Sequence, residues 1–186
     1  MRIKYNAPTT LSFAFICAVV LVVSQTLLPS LTETWFMVPG KNAFSAARPG
    51  DWIRLFTHVI GHVDWNHLIS NFSLILLVGP ILEETYGSLS LVGMIAITAF
   101  VTGILNAFLF QTALLGASGV VFMMILLASF TNFNKGEVPL TFILILVLYL
   151  GREVFHSFQS NDISEFAHIV GGFCGSLFGF FSPARR

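Results

Sequence analysis

Four side chains stand out because their chemistry is polar and their surroundings are not. Ser118 lies in Gly116-Ala117-Ser118-Gly119, at the start of an apolar run. The free N–H groups of a helix start favour negative charge beside such a hydroxyl. A serine between glycines at that place is more often an ordinary helix cap, and the pattern alone does not establish more. His67 and Asn71 are spaced i, i+4, so an imidazole and a carboxamide share one helix face. His168 heads a stripe of small residues: Gly171 or Gly172, Gly175 and Gly179. Small residues on one stripe let two helix backbones approach closely. If the partner is the helix at Gly119, the imidazole of His168 comes towards the Ser118 hydroxyl. The set offers proton and hydrogen-bond donors and acceptors, with no acid and no lysine among them.

The elements that carry these residues belong in a membrane. Of 186 residues, 55 % are apolar and only 10 % charged, with 20 Phe and a mean hydropathy of +0.84. A typical soluble domain is about a quarter charged, so a soluble enzyme is excluded. Nine Lys and Arg, balanced by nine acids at a pI near 7.0, form no phosphate-binding patch, and no nucleic-acid partner is expected. Disorder fails on hydrophobicity. Cys17 and Cys174 both sit inside apolar runs and read as small apolar fillers rather than a disulfide pair.

The whole chain, 1–186, reads as one all-α, polytopic membrane domain with six spans: about 11–28, 66–82, 89–110, 117–130, 138–150 and 166–181. Arg2 and Lys4 before the first run also suit a signal peptide, but the run is long and lacks an A-x-A site, so a retained helix is expected. Residues 29–51 form the longest polar connection, and Trp35, Phe36 and Phe44 suit an interface-lying element. Six spans put both termini on one side. Arg2, Lys4, Lys135, Arg185 and Arg186 then face Lys41, Arg48, Arg54 and Arg152, which favours cytoplasmic termini.

The fourth span is too short, since about 20 residues are needed to cross a bilayer. Gln111 to Leu115 before it carry no charge, so the backbone enters the membrane before the helix begins. Such backbone is tolerated only where protein buries it or water reaches it. At 1.5 Å per residue, Ser118 and His168 each stand roughly 20 Å above the cytoplasmic ends of their helices. His67 and Asn71 stand roughly 24 and 18 Å above Glu83. In a ~30 Å hydrocarbon core all four fall in one layer, about 10 Å below the outer surface.

The sequence resembles the rhomboid family of intramembrane serine proteases. Gly116-Ala117-Ser118-Gly119 matches its G-x-S-G, and Ala167-His168-Ile169-Val170-Gly171 followed by Gly175 matches its A-H-x-x-G-x-x-x-G. The segment from His58 through His62 and His67 to Asn71 is similar to its second-helix motif. Trp52-Ile53-Arg54 resembles the Trp-Arg pair of its first loop, and Glu83 to Gly87 its E-x-x-x-G. The resemblance implies a Ser–His dyad, with Ser118 as nucleophile and His168 as general base. It implies an oxyanion hole from His67, Asn71 and the Ser118 backbone N–H. Preorganised donors in a dry site suit developing negative charge. Phe122 stands where the family commonly has a tyrosine, so ring stacking survives without the hydroxyl. Pro80 inside the second span implies a kink.

No cofactor is implied. His58 and His62 share a spacing of four, but no Cys or carboxylate cluster completes a metal site, and hydrogen bonding at the membrane interface is expected of them instead. Arg54 and Glu83 read as structural anchors, and His156 as a loop residue in the polar connection 152–165, which the resemblance makes a cap over the site. The implied partners are the lipid bilayer and transmembrane-helix substrates, cut near the outer face. A core without an added soluble domain suits a bacterial inner (plasma) membrane. The second reading is an inactive rhomboid relative that binds membrane helices. A small channel would put charges in the polar layer, where none stands.

Overall fold

The computed structural model describes residues 3–131, 140–145, 147–148 and 163–182. It is all-helical there, with one isolated antiparallel bridge between Val38 and Leu114. Eight helices follow in order: α1 Pro8–Thr26, α2 Leu31–Trp35, α3 Pro49–Thr57, α4 Trp65–Tyr86, α5 Ser88–Leu109, α6 Ser118–Ala128, α7 Leu140–Ile145 and α8 Ile163–Phe181. Three of them, α1, α4 and α5, are long and apolar enough to cross a membrane. Of the fifth expected span, only the six residues of α7 and residues 147–148 are described; the rest of it, like connection 152–162 with His156, lies outside the described residues.

Proline at the first turn starts α1 at Pro8, three residues before its apolar run, because the missing N–H is an orphan there anyway. Helix α4 runs past Leu82 to Tyr86 despite Pro80 inside it. Glu83 does not end it because that carboxylate is used internally. Its oxygens accept from the Thr9 N–H (2.7 Å), the Thr10 N–H and hydroxyl (both 3.0 Å) and the Ser88 hydroxyl (2.7 Å). One side chain thus ties the starts of α1 and α5 to the end of α4. The helix stops at Gly87, whose φ of 85° a residue with a Cβ rarely adopts.

Helix α6 is the axis of the bundle. Every residue from Gly119 to Leu127 is buried, as expected of a helix apolar on all sides. It packs chiefly on α8 and also on α4 and α5, while α1 lies outside on α4 and α3 lies on α5. Large apolar side chains such as Phe15, Val19, Leu77 and Phe173 stay exposed on the outer faces. With hydrocarbon as the surrounding solvent, such exposure carries no penalty.

The connection before α3 is organised by Asp51, which is 1 % exposed. It accepts the Ser45 N–H at 2.9 Å and pairs with Arg48 (3.0 Å) and Arg54 (3.2 Å). Arg54 also donates to the Thr34 carbonyl at 2.7 Å, so this cluster fixes α3 against α2. Arg54 and Glu83 are both anchors of connections, in line with the sequence reading.

Candidate functional site

The chain between α5 and α6 is held by backbone bonds from distant segments. Val38 and Leu114 exchange N–H···O bonds at 2.9 and 3.0 Å, and Gly116 donates to the His58 carbonyl at 2.9 Å. Lys41 donates to the Phe110 carbonyl, and the Asn106 carboxamide to that of Thr112 at 3.1 Å. Leu114, Gly116 and Ala117 are buried. Protein segments from elsewhere in the chain therefore supply the hydrogen-bond partners of this uncharged connector.

Gly116 has φ +113°, a backbone state closed to ordinary L-residues. A Cβ on it would lie 2.7 Å from Cε1 and Nε2 of His67, so the imidazole rests directly on this glycine, two residues before Ser118. The start of α4 is itself fixed, because the Asp64 carboxylate caps it by accepting the His67 N–H at 2.8 Å. Asn71, buried one turn below, donates one N–H of its carboxamide to the His67 carbonyl at 3.0 Å. A carboxamide has a second N–H to give.

On the other side, α8 crosses α6 with almost no space between them. A Cβ on Gly171 would lie 2.0 Å from the Gly119 carbonyl oxygen, and one on Gly175 would lie 2.2 Å from that of Met123. A Cβ on Gly119 would come within 3.2 Å of the Ala167 carbonyl oxygen. Ser118 and His168 flank this last contact, one on each helix. The ring of Phe122 lies flat on His168, centroids 4.3 Å apart and planes 8° apart. The small stripe thus does what its spacing suggested and sets the level at which His168 meets the start of α6. Ser118, His67 and His168 are each half-buried.

His58 and His62 are placed otherwise than their spacing suggests. They do not share a helix face: His58 caps the end of α3 and His62 follows in the turn before α4. They are 2 % and 1 % exposed, too deep for an interface. Burial lowers both imidazoles to a pKa of about 4, which keeps them neutral. His62 gives its Nδ1 to the Ile60 carbonyl at 3.1 Å and sets its ring edge-on to His67, centroids 4.9 Å apart. His58 lies 3.4 Å from the Thr102 hydroxyl. Thr98, Thr102 and Asn106, spaced by four along α5, form a buried polar ladder beside the connector. The signal for it was present as polar residues recurring every turn of an apolar span, but such spacing does not say which neighbour they meet.

The arrangement defines a class: a helical bundle with apolar spans in which a serine opens a buried helix, His67 rests on the glycine two residues before that serine, and His168 lies beside a glycine-lined helix crossing. Residues 49–185 match the Rhomboid domain, and the chain belongs to the rhomboid family. Among its relatives, Rhomboid-related protein 1 of Caenorhabditis elegans is 32 % identical over 76 % of this chain and 43 % of its own length. Rhomboid protease GlpG of Haemophilus influenzae is 24 % identical over 72 % of this chain and 71 % of its own. Rhomboid protease GluP of Bacillus subtilis is 30 % identical over 82 % of this chain and 29 % of its own. The match therefore spans less than half the length of the worm and Bacillus relatives.

Proposed function

We propose that the protein is an intramembrane serine endopeptidase that cuts transmembrane segments near the outer face through a Ser118–His168 dyad. The observation that carries this reading is the α6–α8 crossing, where Gly119 touches the Ala167 carbonyl and Phe122 stacks on His168. That contact holds a hydroxyl and an imidazole at one level of two helices. Two of the relatives are named proteases, which supports hydrolysis of peptide bonds.

The chemistry follows from the groups. Neutral His168 takes the Ser118 proton as the hydroxyl oxygen attacks the substrate carbonyl. The oxyanion accepts from the Ser118 backbone N–H, unpaired within α6 because it is at the helix start, from the second N–H of Asn71 and from His67. Collapse passes the proton from His168 to the leaving amine and leaves an acyl-enzyme. Water, deprotonated by His168, then releases the acid and restores Ser118. Phe122 braces the imidazole throughout.

Attack needs an exposed carbonyl, and a helix hides its carbonyls in hydrogen bonds. Substrates are therefore membrane helices with weakening residues near the outer face and a small residue at the cleaved bond. The six-span topology with cytoplasmic termini in a bacterial inner membrane is part of the same reading. The test is cleavage of a single-span reporter in proteoliposomes by wild type, Ser118→Ala and His168→Ala. Cutting near the outer interface by wild type alone is expected. Equal cutting by Ser118→Ala refutes the dyad. Failure of all three, with no labelling of Ser118 by a serine-reactive phosphonate, favours the helix-binding relative instead. A stiff poly-Leu helix cut as fast as a Gly-broken one refutes the substrate rule.

A further inference from the structure

Away from the candidate site, α1 and α5 leave a groove of about 460 Å³ between them. Its walls are Phe13, Ile16, Val92, Ile95 and Ala96, and its rim residues Ile16 and Val92 are 49 % and 48 % exposed, so it opens sideways towards lipid. Its volume falls in the range of small-ligand pockets, about 300–1,000 Å³. Helix α1 packs mainly on α4, which is why the space towards α5 is left unfilled.

The depth of the groove selects its occupant. It begins at Pro8 and Thr9, in the first turn of α1, and reaches Ile16, eight residues or roughly 12 Å further in. There Phe56, Val59 and Ile60 close it, with Phe56 stacked on Phe100 at 5.2 Å. That is about half of a ~30 Å hydrocarbon core. A membrane helix of another protein needs the full thickness, whereas a lipid tail needs one leaflet.

The mouth is polar and has a lysine close to it in the chain. Ser12 on the groove wall is hydrogen-bonded to the Tyr5 hydroxyl at 2.9 Å, and exposed Lys4 precedes Tyr5. The Glu83 carboxylate nearby is already occupied by donors from Thr9, Thr10 and Ser88. We propose that the α1–α5 groove is a lipid site that holds one acyl chain of an anionic glycerophospholipid, with its phosphate at Lys4. The bound chain fills the gap between two spans that touch each other little.

The test reads lipid and does not depend on proteolysis. Detergent-purified protein is exchanged against phosphatidylglycerol or phosphatidylcholine and the retained lipid is measured by native mass spectrometry. Wild type should favour phosphatidylglycerol about fivefold, the preference that one lysine near an anionic headgroup gives, and Lys4→Gln should abolish the preference. Ala96→Phe and Val92→Phe, each checked for folding by circular dichroism, should lose both lipids. A benzophenone side chain at Val92 should cross-link to phospholipid in proteoliposomes. Retention at the wild-type level in both filled variants overturns the site. So does a cross-link to a second copy or to a substrate helix. Equal retention of the two lipids by wild type overturns the headgroup assignment.

Discussion

Replacing Gly116 with alanine tests the link between the connector and the oxyanion site. The new Cβ would stand 2.7 Å from two atoms of the His67 ring, and ordinary contact begins at 3.4 Å, so the ring must withdraw by about 0.7 Å. The φ of +113° adds roughly 1–3 kcal/mol of strain, which in a chain of this size lowers Tm by about 2–4 °C per kcal/mol. Loss of an oxyanion donor costs about 100- to 1,000-fold in kcat, and a shift of under 1 Å should cost roughly 10- to 100-fold. Reporter cleavage in proteoliposomes and Tm in micelles separate the two effects. A double-mutant cycle isolates the mechanism. His67→Ala removes the ring, so Gly116→Ala added to it should slow cleavage by less than about threefold. If the two losses multiply in full, Gly116 does not act through His67. If Gly116→Ala cleaves at the wild-type rate, His67 is not the donor.

The α6–α8 crossing predicts a graded response. Gly171→Ala and Gly175→Ala each drive a Cβ into backbone of α6, at 2.0 and 2.2 Å, and should destabilise by about 1–3 kcal/mol or more and silence cleavage. Gly179→Ala meets the Phe130 side chain first rather than backbone and should keep more activity than the other two in the same assay. Glu83→Gln swaps an acceptor with four donors for one that also presents N–H groups, and should lower stability by about 1–3 kcal/mol, measured by thermal unfolding. His58 and His62 titrate near 6.5 when unfolded and at about 4 when folded, so between those values the unfolded chain binds the extra protons. Stability should therefore be flat above about pH 6.5 and fall below it, by about 2 kcal/mol for each histidine at pH 5. A Tm unchanged between pH 7 and pH 5 would contradict their burial.

What the sequence determined is what repeats locally. The spans α1, α4 and α5 follow from continuous apolar runs long enough to cross a bilayer, and the glycine stripe of α8 from a period of 3.6 residues. That Ser118 opens a helix follows from the glycines and the uncharged run before it. The tertiary structure alone decided the pairings between segments far apart in the chain. The connector is pinned by Val38 and by the His58 carbonyl, neither of which leaves a periodic trace, because a backbone bond does not depend on residue type. The burial of Asp51 and the extension of α4 through Glu83 were hidden for a related reason. A charged residue reads as surface until its partners are known, and those partners are supplied by other elements. His58 and His62 show the same limit: spacing by four suggests one helix face, but the chain turns between them, and only packing against α5 and His67 sets where each imidazole lies.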